Sequence, residues 1–164
     1  MGIRNLHREQ WVPRPLADVF SFFCEARNLD CITPLWLHFS VLRQTGHELR
    51  AGTLIHYKLT WHGIPIVWTS RIEEWEPPFR FVDVQVKGPY CLWHHTHSFE
   101  ALDGGTLISD SVRYAVPFGI LGNLCAGWRV RRDVERIFDY RARAITAIFS
   151  KKPASAELHR QAYR

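Results

Sequence analysis

The sequence predicts an α+β fold. An antiparallel sheet of about seven strands wraps one long C-terminal helix, with two short helices after the first strand. Three observations carry this reading. Between Phe79 and Pro117 the chain reads as consecutive strands, and Asp103-Gly104 is a tight-hairpin signal between two of them. Between Thr53 and Ile72 two more alternating runs are joined by His62-Gly63. After Pro117 the apolar period changes from two to about 3.6 and holds to Phe149.

In chain order, residues 3–12 read as an edge strand whose poor alternation leaves its inward face unassigned. Pro13 and Pro15 end it, and Pro15 suits the first turn of a helix. Leu16, Val19, Phe20 and Phe23 follow at helical spacing. A second short helix is expected from Glu25 to Cys31, stopped by Thr33-Pro34. Leu37, Phe39 and Val41 alternate with His38, Ser40 and Leu42, which predicts a strand. Thr45-Gly46 and Ala51-Gly52 bound a loop. Thr53, Ile55, Tyr57, Leu59 and Trp61 then alternate with polar residues in the clearest half-buried strand of the chain. A turn at His62-Gly63 pairs Leu59 with Ile66 and Tyr57 with Trp68. Ile66, Trp68, Ser70 and Ile72 therefore join the inner face, while Arg71 and Glu73 point out.

Pro77-Pro78 and Gly88-Pro89 mark the next turns. In the strand from Phe79 to Val86, either Phe81, Asp83 and Gln85 face inward or Val82, Val84 and Val86 do. Apolar pattern favours the valines, and the uncertain loop length at Gly88-Pro89 leaves the register open. A two-residue turn at Asp103-Gly104 pairs Phe99 with Ile108, His97 with Asp110, His95 with Val112 and Trp93 with Tyr114. Opposed residues share a face. One face thus carries a wall of large apolar side chains with His95, His97 and Asp110 set into it. The other carries His94, Thr96, Ser98 and Glu100. Such a wall suits a small-molecule pocket, and it equally suits an ordinary core holding one satisfied His–Asp pair. Leu121, Leu124, Trp128, Val130, Val134, Ile137, Phe138, Ile145 and Ile148 fit one helix from about Gly122 to Phe149.

A chain of 164 residues with 46% hydrophobic residues has the length and composition of one globular domain, taken as residues 1–150 with a polar tail over 151–164. Seven Trp and ten Phe favour a bulky interior or a lined cavity. Cys24, Cys31, Cys91 and Cys125 show no zinc-like spacing, and no stretch reads as a leader or a membrane span. The expectation is a cytoplasmic protein with reduced thiols, no structural metal and no cofactor. The formal charge of +5 is concentrated in Arg129, Arg131, Arg132, Arg136, Arg141 and Arg143. These read as the solvated face of the long helix. Arg129, Arg132 and Arg136 are candidate contacts for an anionic membrane surface. No surface-aromatic signature of nucleic-acid binding accompanies them.

The run Pro15-Leu16-x-x-Val19-Phe20-x-Phe22-Phe23, Thr33-Pro34-x-Trp36-Leu37, Gly52-Thr53, Phe81-x-Asp83-x-Gln85, Gly88-Pro89-Tyr90, Trp93-x-His95-x-His97-x-Phe99 and Pro117-Phe118-Gly119 resembles the START/Bet v 1-like (SRPBCC) superfamily. The resemblance covers residues 3–149 and is similar to the branch holding polyketide cyclases/dehydrases and coenzyme-Q-binding START proteins. It implies a helix-grip fold and a pocket for a hydrophobic ligand, and it implies that Asp83 and Gln85 face inward. The first functional reading is a carrier or sensor of a lipid, isoprenoid or polyketide-like aromatic. Tyr57, Trp68, Trp93, Phe99 and Tyr114 would form the apolar wall. Asp83, Gln85, His95, His97 and Asp110 would orient a polar head group. The second reading is a cyclase/dehydratase-type enzyme with His97, oriented by Asp110, as general base. The third is a basic module for membrane or RNA. A metal set of His95, His97 and Asp110 is chemically sound, but the spacing matches no strong motif and the resemblance implies no metal.

Overall fold

Two tight turns fix most of the sheet. His62 and Gly63 have φ of 48° and 83°, and Asp103 and Gly104 have φ of 50° and 75°. Positive φ at both central residues is the type I′ geometry, whose twist matches that of the flanking strands. The structure, a computed structural model, describes residues 2–117 and 127–150. Its strands are β1 (Arg4–Val12), β2 (Ser40–Gln44), β3 (Leu54–Trp61), β4 (Ile64–Glu76), β5 (Arg80–Lys87), β6 (Leu92–Leu102) and β7 (Gly105–Ala115). All neighbours are antiparallel, in the order β1-β7-β6-β5-β4-β3-β2. Helix α1 (Leu16–Cys24) and two 3₁₀ segments (Ala26–Ile32 and Leu35–Leu37) link β1 to β2. Helix α2 (Gly127–Ser150) packs across the sheet.

Both hairpin registers agree with the turn arithmetic: Tyr57 faces Trp68, Leu59 faces Ile66, His97 faces Asp110 and Trp93 faces Tyr114. The inner face of β1 is Leu6 and Val12, with Gln10 between them donating to Ala142 O and Thr146 Oγ1 of α2. Strand β5 turns Asp83 inward opposite His95, against the apolar pattern. That pattern misleads because Val82, on the other face, is fully buried too.

Three expectations need correcting. Residues 37–39 are not strand: Leu35–Leu37 is a 3₁₀ turn, His38 adopts a left-handed φ of 45°, and β2 begins only at Ser40. The second short helix is a 3₁₀ segment that spans Ala26–Ile32 rather than Glu25 to Cys31, starting after Glu25 caps the Arg27 amide. Trp128 is 60% exposed and leaves the apolar stripe. It lies two residues, about 200° of helix rotation, from Val130. The stripe that is buried comprises Val130, Val134, Phe138, Ile145 and Phe149. Each such side chain contributes roughly 1.5–3 kcal/mol on burial. The expected helical positions Leu121, Gly122 and Leu124, and the tail, lie outside the described residues.

The interior splits into two apolar clusters. Phe20, Phe23, Phe81 and Phe99 pack ring to ring, mostly edge-on, at one end, while Leu6, Val112, Tyr114, Val134 and Phe138 pack at the other. Between them the sheet and α2 stand apart.

Candidate functional site

The gap is a cavity with two chambers. The outer chamber, of about 380 Å³, is walled by Leu37, Tyr57, Leu59, Trp61, Trp68, Trp93, Val130 and Ile137. The inner chamber, of about 110 Å³, is walled by Phe23, Ile55, Ile72 and Phe81 and floored by Asp83, His95 and His97. Thr33, Phe39, Tyr57, Trp93 and Arg141 line both, so the chambers communicate. The aromatic wall is rigid: Tyr57 stacks on Trp68 at 5.7 Å, and Trp68 meets Trp93 edge-on at 5.3 Å.

The floor is a buried cluster of two imidazoles and two carboxylates. His95 and His97 alternate inward along β6, Asp83 approaches from β5, and Asp110 lies opposite His97 on β7. His95 Nε2 bonds Asp110 Oδ1 at 2.9 Å, and His97 Nε2 bonds Asp83 Oδ2 at 3.1 Å. His97 Nδ1 lies 3.0 Å from Asp110 Oδ1 but off the hydrogen-bond axis, so that contact is ionic. The two ring centroids lie 3.7 Å apart, with the planes tilted by 37°. His95, His97 and Asp110 are 3%, 4% and 6% exposed.

Burial and pairing compete here. Burial alone would raise the Asp110 carboxyl, but hydrogen bonds and charge from His95 and His97 hold it well below the usual carboxylate range. Asp83 is likewise lowered against burial, by His97, His95 and the Arg141 guanidinium. Burial and the neighbouring His97 push His95 down to about 4. Burial also opposes charge on His97, yet Asp110 and Asp83 together raise it above its ordinary value. The cluster therefore favours ionised Asp83 and Asp110, favours the charged form of His97 and disfavours charge on His95.

Several anticipated residues behave otherwise. Tyr57, Trp68, Trp93, Asp83, His95 and His97 line the chambers. Asp110 sits behind the histidines and does not line either chamber. Phe99 is spent on the phenylalanine cluster and Tyr114 on the other core cluster. Gln85 is clasped by the turn: its side chain donates to Tyr90 O at 2.6 Å and accepts from Tyr90 N at 3.2 Å. A Cβ at Gly88 would collide with this amide, which explains a glycine there. Arg129, Arg131, Arg132, Arg136 and Arg143 are exposed, and Arg136 covers the Trp36 ring at 5.5 Å.

Two polar residues of the cavity were not anticipated. Asp133, in the lining of the outer chamber, is 5% exposed, accepts from Trp61 Nε1 at 2.9 Å and bonds His62 Nε2 at 2.8 Å. Arg141 turns inward, its guanidinium over Phe138 at 5.0 Å, with Nε and Nη1 buried and without a hydrogen-bond acceptor among the described residues. Both stand on the apolar stripe of α2, at Val130 plus three and Val134 plus seven. That is the signal that marks them.

A twisted sheet gripping a long helix around an apolar cavity defines a helix-grip protein of the Bet v 1/SRPBCC superfamily. The chain belongs to the polyketide cyclase/dehydrase and lipid transport family, whose profile matches residues 12–139. No curated protein sequence matches it significantly. Among solved structures it is similar to the Zhui aromatase/cyclase from a Streptomyces species, at 16% identity, TM-score 0.73, covering 94% of this chain and 98% of that one. It is also similar to Ara h 8.0201, at 18% identity and TM-score 0.67, covering 92% and 100%. The major latex-like protein 151 of Panax ginseng matches at 11% identity and TM-score 0.67, covering 90% and 97%. No helix among the described residues is long and apolar enough to cross a membrane.

Proposed function

We propose that the protein binds an apolar small molecule, a lipid, isoprenoid or polyketide-like aromatic, and acts as its carrier or sensor. The supporting observation is the aromatic outer chamber of about 380 Å³, within the size range of ligand pockets, opening onto a polar inner end. The apolar body would fill the outer chamber. Its polar end would meet Arg141 and the histidines, since buried N–H groups without acceptors favour a ligand oxygen. The family's lipid-transport members are consistent with this role.

A second reading, a cyclase/dehydratase-type enzyme, draws on the placement of His97 on the floor of the inner chamber. His97 carries a raised pKa, so it would act there as a proton donor rather than as the base expected from sequence. Native mass spectrometry of the purified chain, followed by solvent extraction, tests the first reading. A co-purified apolar molecule recovered unchanged supports it. A chain that neither carries nor takes up apolar molecules refutes it, and a ligand returned as a dehydrated or cyclised product favours the second reading.

A further inference from the structure

Each ring of the buried cluster faces both carboxylates. His95 turns Nε2 to Asp110 Oδ1 at 2.9 Å and Nδ1 to Asp83 Oδ2 at 3.4 Å. His97 turns Nδ1 to the same Asp110 oxygen at 3.0 Å and Nε2 to the same Asp83 oxygen at 3.1 Å. Four ring nitrogens thus face two anionic oxygens. A neutral imidazole has one N–H and one lone pair. With both rings neutral, two lone pairs oppose carboxylate oxygens. With one ring protonated, one lone pair still does. With both protonated, two cations lie 3.7 Å apart, centroid to centroid.

A divalent cation between Asp83 Oδ2, His95 Nδ1 and His97 Nε2 removes every one of these conflicts. Both lone pairs and one carboxylate oxygen then point at the ion. Of the remaining N–H groups, His95 Nε2–H donates to Asp110 Oδ1, and His97 Nδ1–H lies 3.0 Å from the same oxygen. Two carboxylates balance two positive charges with neutral rings. We propose that Asp83, His95 and His97 form a two-histidine, one-carboxylate site for a divalent transition metal, with Asp110 as the outer carboxylate that holds both rings.

The geometry supports this independently of the charge count. The three donor atoms lie within 4.8 Å of one another. Ligands about 2.1 Å from a tetrahedral or octahedral ion stand roughly 3.0–3.4 Å apart, which the Asp83 contacts of 3.1 Å and 3.4 Å match. Ser70 Oγ donates to Asp83 Oδ1 at 3.3 Å, leaving Oδ2 to the ion. A carboxylate behind a ligating histidine is the usual second partner that fixes ring orientation; here one carboxylate serves two rings. The sequence alone had grouped Asp110 with the histidines as ligands, whereas the structure converges on Asp83. All three ligands line the inner chamber, so the ion keeps an open side facing the cavity. Two imidazoles and a carboxylate with an open side suit Fe(II), Zn(II) or Co(II). The site does not depend on whether the cavity takes an apolar ligand.

The test uses the untagged full chain, stripped with EDTA and dialysed, then titrated with Co(II) by visible absorption and with Zn(II) by calorimetry. The expected result is one equivalent per chain. Asp83→Asn and His97→Gln should each lose at least about 100-fold in affinity, while Asp110→Asn keeps the stoichiometry and loses about 10–100-fold. In the wild-type chain, Zn(II) should shift the imidazole resonances of His95 and His97 and leave His94 and His56 unmoved, a readout that needs no variant to fold. Absent binding, binding that survives both Asp83→Asn and His97→Gln, or shifts confined to other histidines would overturn the proposal.

Discussion

Replacing Asp110 by alanine should be among the most damaging single changes in the sheet. The carboxylate is 6% exposed, and both rings of the cluster contact its Oδ1. Asp110→Ala removes the acceptor of the His95 Nε2–H and one of the two carboxylates facing His97, which keeps only Asp83 as its ion-pair partner. Breaking a buried ion pair from one side costs about 3–5 kcal/mol. With a urea slope of about 2 kcal/mol/M for a domain of this size, the midpoint should fall by roughly 2 M. Asp110→Asn keeps the volume and one acceptor, so its loss should be smaller. His94→Ala is the control: His94 lies on the opposite face of the same strand, and its Nδ1 has no hydrogen-bond partner among the described residues. Its cost should stay within about 0.5 kcal/mol. The assay is urea unfolding of EDTA-treated protein followed by tryptophan fluorescence and far-UV circular dichroism. Equal losses for Asp110→Ala and His94→Ala, or a loss below about 1 kcal/mol for Asp110→Ala, would refute the charge-coupled cluster.

Trp93→Ala should weaken an apolar fluorescent probe by about 1–3 kcal/mol, because Trp93 lines both chambers, while Arg132→Ala on the exposed face leaves the affinity alone. The opposite ranking in a displacement titration would locate binding on the basic face of α2. Val134→Asp places an unpaired charge between α2 and the sheet, where Val134 is 2% exposed, and should cost roughly 3 kcal/mol or more. A thermal melt unchanged by it would rule out the packing of α2. The metal-free protein should be most stable near pH 6.5. His97, raised in the fold, contributes stability that is present below its ordinary value and lost as pH rises through its folded value. His95, lowered to about 4, contributes stability that is present above 6.5 and lost as pH falls, by up to about 3 kcal/mol. Asp83 and Asp110, both lowered, add a further loss as the solution becomes more acidic than their ordinary carboxylate value of 3.8. A flat stability profile between pH 4.5 and 8 would contradict these opposed shifts.

The hairpins were legible because two-residue turns make register a matter of arithmetic, and alternation then assigns faces. Trp93, His95, His97 and Asp110 follow from that alone. Asp83 did not, because Val82 and Asp83 are both shielded and apolar pattern rewards the valine. Only the family resemblance placed it inward. Arg141 and Asp133 were hidden by their company: a helix with six arginines reads as a solvated face unless each charge is checked against the stripe. The strand expected at Leu37 failed because His38 adopts a left-handed conformation that alternation cannot register. Gln85 faced inward as the resemblance implied, yet its amide is committed to the turn at Tyr90.

Ser70 gives the protein a built-in optical gauge. Its hydroxyl receives the Trp68 indole N–H at 3.1 Å, meets Tyr57 OH at 3.0 Å and donates to Asp83 at 3.3 Å. One oxygen thus connects a ring of the outer chamber to a carboxylate of the inner one. The excited indole is sensitive to the field along its N–H bond, so any change of charge at Asp83 reaches Trp68 emission through a single hydroxyl. Trp68 is 6% exposed and shielded from solvent quenchers. A change on the chamber floor is thus coupled, through one hydroxyl, to one of the seven tryptophans of the chain.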